Sequence, residues 1–328
     1  MKSAAPQPRT IQQKRSTQVL HSVPHYAREL MRVRNPREIH AWFYTKLPYA
    51  FPRSGFPTLL NLEPTNECNF GCKQCPRTMM NRSLGDMEPQ LFRKIIEEVQ
   101  RHPTCIVKLV GLGEPSIHPN FPELMGILRE NRTHAICYTN GTMLERYPHR
   151  EVLDWRLRRI VVSVDGLDAE SFERIRVNGN YASIRDAVGR FHALKKKTLS
   201  SRTFLEIRHV IMPNETPEQL EEFKADWLSI ADSVKFNYLI PAGPAMHNGN
   251  RPRCRDIRRE FYIRWDGQVP LCGYQYLSLN GQREWIGDLH KTSITDLWNN
   301  HPRLNEVRAL HLKRDLDSIA FCKTCAFR

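Results

Sequence analysis

The sequence predicts an α/β fold: a partial parallel barrel of six strand–helix units, a (β/α)6 arrangement, followed by a small C-terminal α+β domain. Three observations lead there. From Leu59 to Tyr238 short apolar strands alternate with amphipathic helices, the order that builds a parallel sheet with right-handed crossovers. Turn-forming and chemically active residues recur just after those strands, where parallel barrels gather their function. Beyond Pro241 the alternation stops, and a Gly-, Pro-, Asn- and Arg-rich run from Ala242 to Arg255 leads into a section with its own cysteines. The organisation expected is a leader over 1–50, a core barrel over 51–241 and a second domain over 242–328.

The leader comes first in order. Residues 1–50 carry nine Lys or Arg against two Glu, which supplies half of the chain's net charge of +14. Met1 to Val23 is polar without sustained periodicity and reads as largely disordered. His25 to Leu47 places Tyr26, Leu30, Val33, Ile39, Trp42 and Phe43 at roughly helical separations, broken by Pro36, so two short helices are expected. A basic leader can serve as a nucleic-acid arm, an anionic-membrane contact or a transit peptide; most often it is solvated or lies over its own domain.

Leu59 to Glu63 is the first strand, and Glu88 to His102 its helix. Ile106 to Val110, Ala135 to Tyr138, Arg159 to Val164, Phe204 to Met212 and Ser233 to Tyr238 are the remaining strands. Between them fall helices over Asn120 to Asn131, Leu144 to Trp155, Tyr181 to Lys197 and Glu218 to Ile230. No run approaches the roughly 18 apolar residues of a membrane span. Nine cysteines without an apolar signal segment, grouped as C-x3-C-x2-C and C-x2-C, point to metal rather than disulfides and to a reducing, cytoplasmic setting.

The first strand runs directly into Asn61-Leu62-Glu63-Pro64-Thr65-Asn66-Glu67-Cys68-Asn69-Phe70-Gly71-Cys72-Lys73-Gln74-Cys75-Pro76. Three thiolates on one loop can hold three irons of a cubane. A closed site needs four ligands, so Cys68, Cys72 and Cys75 leave one iron open. The competing readings are buried structural cysteines or a zinc knuckle. After the second strand comes Gly111-Leu112-Gly113-Glu114-Pro115, where glycine admits close backbone approach and Glu114 can accept from an ammonium group; taken alone it could be an ordinary tight turn. Thr139-Asn140-Gly141 and Ser163-Val164-Asp165-Gly166 close the third and fourth strands with strong turn dipeptides. In the fifth strand, period-two alternation sets Glu206 and Arg208 inside and Leu205, Ile207 and Ile211 toward the helices. The inner pair is either a salt bridge or leaves Arg208 to grip a carboxylate as a planar fork. His209 is read as structural. Cys105 and Cys137 sit in strands and are read as core. In the last section Cys254, Cys272, Cys322 and Cys325 make a second set of four, satisfying either zinc or a cluster.

On the cysteine loop and the turns that follow it, from about Thr58 to Leu239, the sequence resembles the radical S-adenosylmethionine (radical SAM) family. The resemblance implies an open, TIM-like (β/α)6 barrel in which Cys68, Cys72 and Cys75 hold a [4Fe–4S] cluster whose open iron is chelated by the amino and carboxylate groups of SAM. Gly113, Glu114 and Pro115 match the family's GGEP motif, which holds the SAM amino group; Gly-Leu-Gly replaces its first half. By the same resemblance Asn140, Ser163 and Asp165 line the SAM pocket, with Ser163 and Asp165 near the ribose, and Arg208 takes the carboxylate. The family often has an aromatic before the third cysteine; here Gln74 stands there, and Phe70 can supply apolar cover. The last section is similar to the short, one-cluster "twitch" form of the SPASM extension. Its marks are a hairpin from Phe261 to Cys272 turning at Asp266-Gly267, and the stretch from Ile286-Gly287-Asp288-Leu289 to Leu297-Trp298. A second, auxiliary [4Fe–4S] cluster on Cys254, Cys272, Cys322 and Cys325 follows.

The function this implies is an oxidoreductase in which a 5′-deoxyadenosyl radical abstracts hydrogen from a substrate C–H bond and the auxiliary cluster accepts an electron. The favoured substrate is a carbohydrate-like or cyclitol small molecule whose hydroxyl is oxidised, as in cyclitol and aminoglycoside dehydrogenases. The alternatives are a SPASM-type peptide-modifying maturase, for whose winged-helix recognition module the leader is a poor match, and a redox-neutral epimerase or dehydratase. A reducing donor such as flavodoxin or ferredoxin is expected. The leader and Arg251, Arg253, Arg255, Arg258 and Arg259 could form a phosphate track, but no recognised RNA-binding module accompanies them. The motifs assign no substrate-side catalytic residue.

Overall fold

The computed structural model describes residue 49 and residues 53–198, 201–238, 253–277, 284–323 and 325. The two helices expected over 25–47 lie outside the described residues, as do Arg251 and most of the Gly- and Pro-rich run. Seven parallel strands form one sheet: β1 (Leu59–Leu62), β2 (Ile106–Leu109), β3 (Ala135–Thr139), β4 (Arg159–Ser163), β5 (Phe204–Ile211), β6 (Ser233–Tyr238) and β7 (Glu260–Ile263). Their order is β6-β5-β4-β3-β2-β1-β7. Six were expected. β7, from the cysteine-bearing last section, adds to the outer edge of β1 in parallel register, Leu59 opposite Glu260 and Leu62 opposite Ile263.

That seventh strand corrects the expected hairpin from Phe261 to Cys272. The Asp266-Gly267 turn forms, with Gly267 at φ +76° and the amide of Arg264 donating to the carbonyl of Gln268 over 3.0 Å. Its first arm joins the main sheet. The second arm, β8 (Gln268–Pro270), pairs antiparallel with β9 (Trp285–Asp288).

Helices α1 (Pro89–Gln100), α2 (Phe121–Glu130), α3 (Thr142–Arg146), α4 (His149–Asp154), α5 (Ala169–Ile175), α6 (Tyr181–Lys197) and α7 (Pro217–Leu228) connect the strands. α8 (Asp256–Arg259), α9 (Gly273–Leu277), α10 (Ile294–Asn300), α11 (Pro302–Lys313) and α12 (Ala320–Lys323) belong to the last section. The single helix expected over Leu144 to Trp155 is two. Pro148 forces the residue before it out of the helical region, and Tyr147 sits at φ −112°, ψ 144°. α6 matches its expected span, because Asn180 caps the amide of Ser183 and Lys195, Lys196 and Lys197 meet the negative end of the helix.

The sheet has two unlike faces. Leu60, Leu62, Val107, Leu109, Cys137, Ile160, Val162, Leu205 and Ile207 are buried in one core with Phe92, Phe121, Phe191 and Trp227. Full burial of side chains of this size is worth about 1.5–3 kcal/mol each, so this face fixes register. The other face carries Asn61, Lys108, Tyr138, Arg159, Glu206, Arg208, Lys235, Glu260 and Tyr262, which the strand register aligns side by side. The concave side of the barrel is therefore polar.

Candidate metal centres

The loop of Cys68, Cys72 and Cys75 leaves β1 and is held on both flanks by backbone. The amides of Gly71 and Lys73 donate to the carbonyls of Val177 and Ile175, each over 2.9 Å, and the amide of Glu114 donates to the carbonyl of Glu67 over 2.8 Å. The last contact explains Gly113. A Cβ there would lie 2.3 Å from the Thr65 carbonyl oxygen and 2.5 Å from that of Glu67, so only glycine lets the second turn press against the cysteine loop.

Glu114 is buried, and its carboxylate accepts from the amide and hydroxyl of Ser116, the hydroxyl of Thr139 (2.8 Å) and the amide of Asn140 (2.6 Å). Burial pushes its pKa up, and these donors pull it back. Pro115, also buried, opens the short 3-10 turn Pro115–Ile117. Asn140 reaches the other way: its Nδ2 donates to Asn69 Oδ1 over 3.0 Å and lies 3.9 Å from Cys68 Sγ. One bonded network thus joins Cys68, Gly113, Glu114 and Asn140.

Asp165, at the end of β4, is fully buried and committed to three protein donors: the Val210 amide (2.8 Å), Arg176 Nη2 (2.6 Å) and Gln74 Nε2. Both its oxygens accept from the fold, one from β5 and the other from Arg176 and the cysteine loop. Gln74, standing where an aromatic is frequent, is the loop's tie to β4. Arg176 Nη1 also lies 4.0 Å from Cys72 Sγ. Burial raises the Cys68 thiol and pushes that of Cys72 to about 11, with the Arg176 charge opposing it.

Ser163 is half-buried and pairs in register with Arg208. Arg208 makes the salt bridge weighed from the sequence, its Nη2 donating to Glu206 while its Nη1 donates to the Tyr138 hydroxyl over 3.2 Å. Arg159 (2.7 Å) and Lys235 (3.2 Å) crowd the same Glu206 carboxylate, holding its pKa down despite burial. Cations exceed the carboxylate here. Arg208 Nε is buried with no hydrogen-bond acceptor, so this wall of the barrel suits an anionic group such as the SAM carboxylate. Three thiols on one loop, an anchored carboxylate and this cationic wall fit a cluster with its SAM.

The second cysteine set also converges. Cys254, Cys272, Cys322 and Cys325 line one small pocket with Asp256, Ile257, Gly273, Tyr274 and Phe321. Among the described residues no group of three or more His, Cys, Asp or Glu is close enough to hold a single metal ion. A four-thiol set without an open place fits a fully ligated cubane. His311, which no local pattern marked, is wholly buried beside it. Cys105 and Cys137 are core residues, their thiols pushed up by burial.

Between the two sites lies a buried network that sequence reasoning also missed. Arg82 donates to both oxygens of Glu63 (2.7 and 2.6 Å), the hydroxyl of Tyr276 donates to Glu63, and Arg82 lies over the Tyr276 ring. Glu63 continues the inward alternation of β1 and is fully buried, the one signal that could have marked it. Tyr276 follows Cys272 in α9, so the network ties the second set to the mouth of the barrel. Of the arginines considered as a phosphate track, Arg253 and Arg258 stack on Tyr49, and Arg259 pairs with Asp256 and Glu260. These three have partners within the fold, whereas Arg255 is exposed.

Comparison with known proteins places these features. A family model described as the Radical SAM superfamily matches residues 62–226, and one described as an iron-sulfur cluster-binding domain, SPASM, matches residues 254–326. The tungsten-containing aldehyde ferredoxin oxidoreductase cofactor-modifying protein of Pyrococcus furiosus is 22% identical, over 74% of this chain and 80% of its own. Mycofactocin maturase MftC of Mycobacterium tuberculosis is 24% identical over 71% of this chain, which spans about half (54%) of that relative. Among solved structures, Streptococcus suis SuiB bound to S-adenosylmethionine aligns with a TM-score of 0.58 at 14% identity, covering 95% of this chain and 82% of that one. BtrN in complex with AdoMet and 2-DOIA aligns at 0.50 and 15% identity, covering 82% and 92%. No helix among the described residues is long and apolar enough to cross a membrane.

Proposed function

The chain belongs to the radical SAM superfamily and carries an iron–sulfur-binding SPASM domain, and from that premise we propose that it is a maturase-type oxidoreductase that removes hydrogen from a C–H bond of a peptide-type substrate. SAM and two [4Fe–4S] clusters are its cofactors; bound, they supply a 5′-deoxyadenosyl radical for hydrogen abstraction and a one-electron acceptor. Cys68, Cys72 and Cys75 hold the first cluster. Glu114, with Gly113, Pro115 and Asn140 placing it, faces the SAM amino group, Ser163 faces the ribose and Arg208 the carboxylate.

The observation that carries the oxidative reading is the four-cysteine pocket. Cys254, Cys272, Cys322 and Cys325 line it together, which leaves no iron free for substrate and makes electron acceptance its natural role. A carbonyl or a new bond requires one electron to leave after hydrogen abstraction. The peptide reading, preferred here over the small hydroxyl substrate first expected, is supported by the maturase MftC and by the likeness to SuiB, whose complex with its precursor peptide SuiA also aligns. Exposed Met79 and Leu84, beyond the C-terminal end of β1, and Tyr238, the last residue of β6, offer apolar surface to a chain-like substrate. The second reading, oxidation of a small polar molecule, is favoured by the polar concave face of the sheet. A low-potential flavodoxin or ferredoxin would supply electrons to the first cluster.

The test is anaerobic reconstitution with SAM and dithionite. The wild-type chain should take up about eight irons, two cubanes of four, and release 5′-deoxyadenosine. Replacing Cys68, Cys72 and Cys75 together with Ala should leave about four irons and no 5′-deoxyadenosine; retained cleavage would overturn the assignment. Removing Cys322 and Cys325 should leave SAM cleavage and abolish oxidised product in a variant that keeps its first cluster. Precursor peptides and polyols offered side by side would separate the two substrate readings.

A further inference from the structure

We propose that His311 is a positioning residue for the second cluster: its Nε2–H donates to Cys322 Sγ and raises the potential at which that cluster accepts an electron. The inference rests on the reading that the four-cysteine pocket holds a [4Fe–4S] cluster. His311 lies in the last turn of α11 and is fully buried. The backbone amide of Cys254 donates to its Nδ1 over 3.2 Å. A ring nitrogen that accepts carries no hydrogen, so the imidazole is neutral with its proton on Nε2. That nitrogen is 3.5 Å from Cys322 Sγ, within reach of an N–H to sulfur hydrogen bond.

One ring therefore spans two of the four ligands, from the backbone of Cys254 to the sulfur of Cys322. The Cys254 amide fixes the ring's tautomer, and the tautomer makes Nε2 a donor. Reduction places extra negative charge on a cluster and its ligand sulfurs; a buried donor to one sulfur stabilises the reduced form and raises the potential. A ring that merely filled space would not need its donor nitrogen facing sulfur. The four thiols already complete the ligand set, so His311 acts through Cys322 and not on iron.

The experiment compares reconstituted full-length wild type with His311→Phe and His311→Gln by iron content, EPR-monitored redox titration and pulsed EPR after 15N-histidine labelling. His311→Phe should make the second cluster roughly three- to tenfold harder to reduce, tenfold being 59 mV for one electron, with the first cluster unmoved. His311→Gln, which keeps an N–H, should recover part of the shift. The labelled wild type should show a weak nitrogen coupling to the reduced second cluster. An unchanged potential in a His311→Phe protein that holds both clusters overturns the inference. Where variants lose the cluster, the wild-type signal decides: no nitrogen coupling, or the strong coupling of a directly bound nitrogen, each rejects the hydrogen bond. Four irons in the wild type would instead remove the second cluster itself, and the inference with it.

Discussion

The side-chain amide of Gln74 donates to the carboxylate of Asp165, joining the cysteine loop to the C-terminal end of β4. Arg176 donates to the same carboxylate oxygen from the segment after α5. The two donors differ in what their loss leaves behind. Gln74→Ala removes one hydrogen bond from an acceptor with other partners and should cost about 1 kcal/mol. Asp165→Asn leaves the guanidinium of Arg176 buried without its counter-charge and should cost about 3–5 kcal/mol. Urea unfolding of the apo-protein should rank them in that order; equal losses would show that the ion pair adds nothing.

Gly113→Ala should damage the cysteine loop without touching a thiol. The added methyl meets backbone oxygens, which cannot swing aside, so a loss of about 1–3 kcal/mol is expected from overpacking. The variant should also release iron faster to a chelator, because the loop must shift away from Glu114. A Gly113→Ala protein with wild-type stability and iron retention would refute the contact.

Glu114→Gln separates anchoring from ligand binding. The substituted amide can accept from only one side, so it faces the Asn140 amide or the Ser116 and Thr139 donors with a donor of its own. About 1–3 kcal/mol of stability should go. If Glu114 also serves the SAM amino group, SAM affinity measured by calorimetry on reconstituted protein should fall at least tenfold, about 1.4 kcal/mol. Lost stability with unchanged affinity would confine Glu114 to the fold.

Acid should weaken the turn after the Gly113–Pro115 stretch through His118. The ring is buried, its Nε2 bonding the Met87 carbonyl over 2.9 Å while its Nδ1 accepts from the Asn120 amide over 3.0 Å. Only the neutral ring can make both bonds, and burial lowers its pKa below the ordinary 6.5. With the folded value depressed, the unfolded chain binds the proton first, so stability is full above 6.5 and falls as pH drops below it. Urea midpoints at pH 7.5 and 5.5 should differ more for wild type than for His118→Asn. The same acid loss in both would clear His118.

Much of this was legible along the chain because it is local. Apolar runs marked β1 to β6, the Asn180 cap and basic end marked α6, and cysteine spacing marked both sets. What was not legible depends on partners distant in sequence. β7 reads like the first arm of a hairpin, and the Asp266-Gly267 turn does form; only the free edge of β1 takes that arm away. His311 and Arg176 sit 57 and 104 residues from Cys254 and Cys72, and a histidine or arginine on a helical segment gives no local sign of facing sulfur. The four protein donors around the Glu114 carboxylate were not legible either, because neither Ser116 nor Thr139 announces its direction.

The pairing of β7 with β1 also sets an order of events during synthesis. Thr58 and Arg259, bonded through the Thr58 hydroxyl over 3.3 Å, are 201 residues apart. A nascent chain presents the outer edge of β1, with the cysteine loop just beyond it, for most of translation before its neighbour leaves the ribosome. An unpaired apolar edge invites wrong partners, and loop closure across such a separation is slow. The first three thiols are thus made well before the last four, and β1 gains its outer neighbour only once the segment that leads into the second set has been made.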